Sequence, residues 1–363
     1  MSRAKVVILR GHGVTPWELR PWELLQDEFD VVCLVTRRNR FDRETLALPI
    51  EYVRTVRDLL PRGRLGDLAV RVPGDRYLGL EKHLRGAAIV HSLELGNPWS
   101  GAPAALKPKL GFSLLLSVWE TIPLRDAYRY PRGRSYRRDA LGATDLFLAT
   151  TERARDALVL EGASRERIEV CPPGIDLGRF AVLERRPEVV VSIGRLVWEK
   201  GHQDVLRALA AIRAGVVSGA APRLLVIGSG PEAARLRKHA DELGVGDLVE
   251  LGTASYEDMP AVYARASTLV LASLPTSVWE EQFGMVLAEA MAAGVPIVAA
   301  ASGAIPQVLG GAGATFRAGD WVELARLLAG PPPPAAPREL AATYSTAAAA
   351  ERLRGAYRHV LAA

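Results

Sequence analysis

Hydrophobic positions in this chain gather in short unbroken runs. KVVILR (5–10), DVVCLVT (30–36), AAIVHS (87–92), LLLSVWE (114–120), DLFLAT (145–150) and IEVCPP (168–173) are apolar on consecutive positions, not on every second one. That pattern predicts parallel strands covered on both faces, where neither side of the pleat meets water. A second series follows: EVVVSIG (188–194), RLLVIGSG (223–230), VELGT (249–253), STLVLAS (267–273) and VPIVAA (295–300). Between the runs, stretches such as HQDVLRALAAIRA, AARLRKHADELG and EDMPAVYARA repeat their apolar positions with the helical period. Two consecutive strand–helix series predict an α/β protein of two doubly wound, Rossmann-like domains with parallel sheets. The break is expected near CPPGIDLGRFAVLERRPE, where Pro172, Pro173 and Gly174 punctuate the chain, giving domains over 1–180 and 185–340. GPPPPAAP (330–337) reads as a stiff spacer. After it, one alanine-rich helix over about 339–361 places Leu353, Tyr357 and Leu361 on one stripe. No period of 20–50 residues repeats, which excludes a solenoid.

Length and composition agree with this picture. The 363 residues exceed what one core usually serves, and 49% apolar with 24% charged residues describes a globular chain. Cys33 and Cys171 lie in or beside apolar runs, so buried free thiols in a reducing compartment are expected rather than a disulfide framework. The apolar run at the amino terminus is too short for a signal-peptide core, and no stretch approaches the length of a membrane span, so a cytoplasmic protein is expected. The net charge of +5 is uneven: residues 1–180 hold 29 Lys and Arg against 23 Asp and Glu. Its densest part is RDAYRYPRGRSYRR, opening on Arg125 and closing on Arg138. Such a stretch suits nucleic acid, anionic lipid headgroups or an anionic acceptor, or is a solvated loop that keeps a basic protein in solution.

The candidate chemistry falls at strand ends, where open α/β sheets bind ligands. SIGRLVWEKGHQ sets Arg195 and Lys200 on one loop between a strand and a helix, a pair of cations suited to a diphosphate. STLVLAS is followed by LPTSVWEEQ and then by FGMVLAEAMAAGVP, which reads as a helix starting near Gly284. The first N–H groups of that helix, at its positive end, favour an anion. Glu281 precedes the helix and Glu289 lies about one turn inside it, so the two acids reach a ligand from different heights. Ribose hydroxyls for one and a sugar for the other are natural partners.

CPPGIDLGRF, SIGRLVWEKGHQDVLRAL, LLVIGSGPEAARL, WEEQFGMVLAEAMAAGVPIVAAASGAIPQVLGGAG and the terminal helix together resemble the retaining glycosyltransferases of family 4 (GT4), which have the GT-B architecture. The first half resembles the family in layout only. The resemblance implies two Rossmann-like domains facing a cleft, the first binding the acceptor and the second a nucleoside-diphosphate sugar. It also implies a last helix, about 341–363, that crosses back to the first domain. The family's Glu-x7-Glu falls on Glu281, beside the donor sugar, and Glu289, on the ribose. Arg195 and Lys200 would clamp the diphosphate, helped by backbone N–H groups of Phe283, Gly284 and Met285, with Gly252 and Thr253 near the base. Front-face transfer, in which the leaving diphosphate takes the acceptor's proton, asks for positioning and charge stabilisation. Neither a cofactor nor a metal is implied, and the sequence has no Asp-x-Asp and no clustered His or Cys with ligand spacing.

In the first half, Gly11, His12 and Gly13 follow the first strand where the family has a glycine pair near the donor phosphate; a plain tight turn explains them equally well. Where the family often carries a histidine, this chain has Trp119 and Glu120, and Glu120 is a candidate to bind a sugar hydroxyl or polarise the acceptor. His91 and Glu94 are candidates for the acceptor side, although a histidine at a strand end more often makes a structural hydrogen bond. Trp17 and Trp22 suit either stacking on a sugar or helix packing. VIGSGPEAARL begins like a dinucleotide fingerprint through Gly228 and Gly230 but lacks the acidic residue that would hold an NAD ribose. A GT-B nucleotide-sugar epimerase and a catalytically silent partner subunit are the closer alternatives. The expected partners are a UDP-, GDP- or ADP-type sugar, an acceptor of unspecified kind and an anionic membrane touched through 125–138. Nucleic acid is not expected.

Overall fold

A computed structural model describes residues 3–11, 14–38, 46–61, 63–70, 74–125, 131–181 and 184–362. The chain divides into two compact units, Met1–Gly174 with Thr346–Ala363, and Ile175–Ser345.

The first unit holds seven strands: β1 (Ala4–Leu9), β2 (Phe29–Thr36), β3 (Ile50–Val53), β4 (Ile89–Leu93), β5 (Ser113–Val118), β6 (Leu146–Ala149) and β7 (Ile168–Val170). All pair parallel, in the order β3-β2-β1-β4-β5-β6-β7. The second unit holds β8 (Val189–Ile193), β9 (Leu224–Ile227), β10 (Val249–Gly252), β11 (Ala266–Leu271), β12 (Ile297–Ala300) and β13 (Ala314–Phe316). These too are parallel, ordered β10-β9-β8-β11-β12-β13. Central strands such as β6, β8, β9 and β12 are buried at every position, which is why their sequences run apolar without alternation. Strand order reverses between β1 and β4 in one sheet and between β8 and β11 in the other. Those reversals open the crevices in which such sheets bind ligands.

Two strands escape the apolar-run criterion. β3 (IEYV) and β13 (ATF) are short edge strands with polar positions, and an edge needs no unbroken apolar run. The boundary between units falls at 174/175 and not at 180, because Phe180 is fully buried in the second unit with its ring edge-on to Tyr256 and Tyr263. The single terminal helix expected over 339–361 is two, Arg338–Ala342 and Thr346–Ala362. Tyr344 breaks it: its hydroxyl donates to the Val308 carbonyl at 3.0 Å, and its own carbonyl accepts the Ile175 N–H at 2.8 Å. The longer helix belongs to the first unit, where Leu353 and Tyr357 join the core beside Trp22 and Phe29. Leu361, expected on the same stripe, is instead exposed. Cys33 is buried and Cys171 half-buried, both as free thiols. Among the described residues no helix is long and apolar enough to cross a membrane.

Candidate active site

The reversal between β8 and β11 brings two loops of the second unit together. The chain leaving β8 carries Arg195 and Lys200; the chain leaving β11 carries Ser273, Trp279 and Glu281. Leu274 N–H donates to the Glu199 carbonyl at 2.8 Å and ties the loops to each other. Lys200 Nζ donates to Glu281 Oε2 at 2.6 Å, and Ser273 Oγ donates to the same oxygen at 2.7 Å. Both ends of the ion pair are largely sheltered, so each charge depends on the other. The Lys200 ammonium also lies 5.2 Å from the centre of the Trp279 ring, within cation–π range. Glu281 is fixed from the loop after β12 as well: Ala304 N–H donates to its carbonyl at 2.8 Å, and Gly303, at φ +55, lies where a Cβ would stand 2.1 Å from that oxygen. No other residue type fits there.

Arg195 differs from Lys200. It is exposed, and its guanidinium makes no ion pair among the described residues. What is fixed is its backbone: His202 Nε2–H donates to the Arg195 carbonyl at 3.2 Å while Nδ1 accepts from Ser192 Oγ at 2.8 Å. Burial holds the His202 ring neutral, its pKa lowered to about 4. The second unit thus presents a fixed point with a free cationic arm.

Gly284, at φ +80, caps the helix Met285–Ala292. Its first N–H groups lack intrahelical acceptors by construction. Phe283 is a core residue, edge-on to Tyr344 at 5.3 Å between centroids, so only its backbone is available to a ligand. Glu289, one turn into the helix, is 6% exposed and accepts a hydrogen bond from Tyr263 Oη at 2.7 Å. Burial pushes its carboxyl pKa up to about 7, opposed in part by the tyrosine. Gly252 ends β10, its carbonyl accepting the Gly228 N–H at 2.9 Å, and Thr253 beyond it is exposed. Gly228 itself lies where a Cβ would meet the Gly194 carbonyl at 1.8 Å, so close packing of two backbones explains that glycine without a dinucleotide.

In the first unit the structure corrects several expectations. His91 is buried in the core: Trp22 Nε1–H donates to Tyr357 Oη at 2.8 Å, that hydroxyl meets His91 Nδ1 at 2.7 Å, and His91 Nε2 meets Ser117 Oγ at 2.8 Å. With both nitrogens engaged and the ring held neutral by burial, its pKa lowered to about 3, His91 is a structural hydrogen-bonder and not an acceptor ligand. Trp22 is packing for the same reason, and Trp17, on the helix Pro16–Glu23, is half-buried. Glu120 is spent internally: one oxygen accepts the N–H groups of Thr121 and Ile122, each at 3.1 Å, and the other accepts from Arg125 at 2.6 Å. Gly11 is buried with the Trp99 indole 2.7 Å from where its Cβ would be, so packing occupies that side. His12 and Gly13 lie outside the described residues. Glu94 stands apart. It leaves β4 at φ +58, unusual for a side-chain-bearing residue, and accepts the Trp119 N–H at 2.8 Å. Burial and then the neighbouring Glu120 carboxylate raise its pKa to about 7 against the Trp119 N–H.

Three supporting residues went unnoticed in the sequence. Ser273 and His202 are polar groups at a strand end and a helix start, a signal that was readable; Tyr263 sits 26 positions from Glu289 on another helix, and no local pattern joins them. Among the described residues no group of three or more His, Cys, Asp or Glu is arranged to hold a metal ion.

Two parallel sheets of this order in one chain are the GT-B architecture. Matching it, an Anabaena protein, HepE, crystallised with UDP and glucose, superposes with a TM-score of 0.74 over 98% of this chain and 100% of its own, at 18% identity. The chain belongs to the group 1, family 4 glycosyltransferases: the family profile for glycosyl transferases group 1 matches residues 179–329, and that for glycosyltransferase family 4 matches residues 22–179. The GDP-mannose-dependent alpha-(1-6)-phosphatidylinositol monomannoside mannosyltransferase of Mycobacterium tuberculosis is 34% identical over 49% of this chain and 50% of its own length. The D-inositol 3-phosphate glycosyltransferase of Mycobacterium bovis is 34% identical over 52% and 42%. The chain spans about half the length of the curated relatives it matches.

Proposed function

We propose that the second unit binds a nucleoside-diphosphate sugar of UDP, GDP or ADP type and that a hexosyl-type sugar passes, with retention of configuration, to an acceptor hydroxyl presented by the first unit. The observation that carries this reading is the coincidence, at one switch point, of the unpaired Arg195 guanidinium, the Lys200–Glu281 pair and the start of the helix Met285–Ala292. A pyrophosphate bridge satisfies all three. It competes with Glu281 for the Lys200 ammonium, and Glu281, once released, turns an acceptor oxygen toward a donor-sugar hydroxyl. Glu289 takes the ribose hydroxyls. The base extends toward Gly252 and Thr253, two strands and roughly 10 Å from β8 at the usual interstrand spacing.

In the step itself the bond from the anomeric carbon to the phosphate oxygen breaks while the acceptor oxygen bonds to that carbon on the same face. The acceptor's proton passes to the leaving phosphate oxygen. Arg195, Lys200 and the helix N–H groups supply the positive charge that this oxygen needs as it leaves, the role a metal plays in other transferases, so the reaction proceeds without one. The names of a GDP-mannose-dependent relative and of a neighbour bound to UDP and glucose support this donor class. The acceptor is met at the cytoplasmic face of an anionic membrane, through the basic stretch at 125–138, of which Arg134 and Arg138 are exposed and residues 126–130 lie outside the described set. Incubation with a panel of nucleotide sugars, with and without acceptor lipids, tests the reading. Nucleoside diphosphate release that accelerates with acceptor is expected; a new nucleotide sugar formed without release would make the protein an epimerase, and no turnover of any kind would make it a silent subunit.

A further inference from the structure

Trp279 turns inward from a loop that is otherwise open to water. Pro275, Thr276, Ser277 and Val278 are exposed, whereas Trp279 is half-buried and the Lys200 ammonium lies 5.2 Å from its ring centre. The turn that carries it is closed on itself. The Thr276 N–H donates to the Trp279 carbonyl at 2.7 Å, Thr276 Oγ donates to the same carbonyl at 3.3 Å, and the Val278 N–H donates to Thr276 Oγ at 3.3 Å. The bond from the Leu274 N–H to the Glu199 carbonyl fixes this loop against the residue beside Lys200. The indole is thus a fixed part of the ammonium's surroundings.

Lys200 is gripped from three sides. Its stem runs over the end of β8, where a Cβ on Gly194 would stand 3.5 Å from Lys200 Cδ. Its ammonium donates to Glu281 Oε2 at 2.6 Å, and the indole lies on another side. The two contacts at the head differ in kind. The carboxylate takes an N–H and carries a charge that must be set aside when a phosphate arrives. The ring is neutral, attracts the ammonium through its face and repels no anion. At 5.2 Å the ammonium stands in the outer part of the range for such a contact, which ends at about 6 Å, so it can draw closer once Glu281 lets go.

We infer that Trp279 is a positioning residue: it gives the Lys200 ammonium a second seat, which keeps the lysine in the site when a diphosphate takes the place of Glu281. Resting on the nucleotide reading above, this role explains why the lysine stays beside the phosphates instead of swinging into water. The ring favours the opened ion pair over the closed one, and only that difference between the two states shows in ligand affinity. A ring that stacked on the ligand itself would act whether or not residue 281 carries a charge. One that acts through Lys200 matters only while there is a carboxylate to leave.

Calorimetric titration of UDP, GDP and ADP into the full chain tests this, with Trp279→Leu and Trp279→Phe each made in the wild-type and the Glu281→Gln background. These ligands carry no donor sugar, so direct contacts of Glu281 with a sugar do not enter. Any of the three that binds wild type is expected to bind Trp279→Leu about tenfold more weakly and Trp279→Phe, which keeps a ring face, within about threefold of wild type. In Glu281→Gln, Trp279→Leu is expected to change Kd less than about twofold. An equal loss in both backgrounds would make Trp279 a direct ligand contact and overturn the inference, as would equal Kd values in wild type and Trp279→Leu. Should the leucine variant not fold, Trp279→Met replaces it: the ring-bearing variant is expected to keep its affinity and the ringless one to lose it, and the reverse order overturns the role. No binding of any of the three to wild type would count against the nucleotide reading itself; binding without an effect at Trp279 would remove only the positioning role.

Discussion

Replacing Glu289 with glutamine separates what the folded chain tolerates from what a ligand needs. Burial lifts the carboxyl from 4.5 in the unfolded chain to about 7 in the folded protein. Below pH 4.5 both states hold the proton and the group costs nothing. Between 4.5 and about 7 the folded state alone keeps it, so stability falls as pH rises, and above 7 the cost is complete. At 1.36 kcal/mol per unit the full penalty is about 3 kcal/mol. Glutamine stays neutral throughout and still accepts from Tyr263. Glu289→Gln should therefore match wild type near pH 5 and exceed it at pH 8. For a unit the size of 175–345 a gain of about 3 kcal/mol is roughly 6–12 °C in thermal midpoint. The same change removes the charged acceptor proposed for the ribose, at an expected cost of about 1.5–3 kcal/mol or tenfold and more in donor affinity. Thermal unfolding at pH 5 and 8, with and without nucleotide sugar, reads both effects. A variant whose advantage over wild type does not grow with pH, or which binds donor as tightly, would refute the burial argument or the ribose assignment respectively.

Other substitutions probe the remaining parts. Lys200→Met leaves Glu281 buried without its cation and should destabilise the second unit by about 3–5 kcal/mol, whereas Lys200→Met/Glu281→Gln should recover most of the stability but no transfer; equal melting of single and double variants would contradict the pairing. Arg195→Ala, at an exposed position, should leave the melting profile untouched and lower kcat by about a hundredfold or more, as expected for losing one stabiliser of the leaving phosphate. His91→Leu strands the Tyr357 and Ser117 hydroxyls and should cost the first unit about 2–4 kcal/mol in denaturation experiments, with acceptor KM unchanged. A raised acceptor KM at full stability would restore His91 to the substrate.

The pattern of apolar runs disclosed most of the fold because central parallel strands are covered on both faces, and nine of the eleven runs form such strands. Edge strands β3 and β13 carry no such obligation and were invisible. The grouping of Arg195, Lys200, Glu281 and the helix Met285–Ala292 in the second unit was legible for a related reason: a strand, a short loop with two cations and a glycine-started helix with one acid before it and one inside are all local in sequence. The first unit was not, because its candidate polar residues have tertiary fates. His91 is consumed by Tyr357, which arrives from a helix 266 positions away, and Glu120 by Arg125 and two backbone N–H groups. A polar residue at a strand end reads the same whether it greets a substrate or a neighbouring helix, and only the packing decides.

The central claim is that the β8/β11 crevice grips the diphosphate of a nucleotide sugar. Calorimetric titration of a UDP-, a GDP- and an ADP-sugar into wild type, Arg195→Ala and His91→Leu tests it most directly. At least one sugar should bind wild type, with Kd raised tenfold or more in Arg195→Ala and unchanged in His91→Leu. Equal affinity in wild type and Arg195→Ala, or no binding of any of the three to wild type, would contradict it.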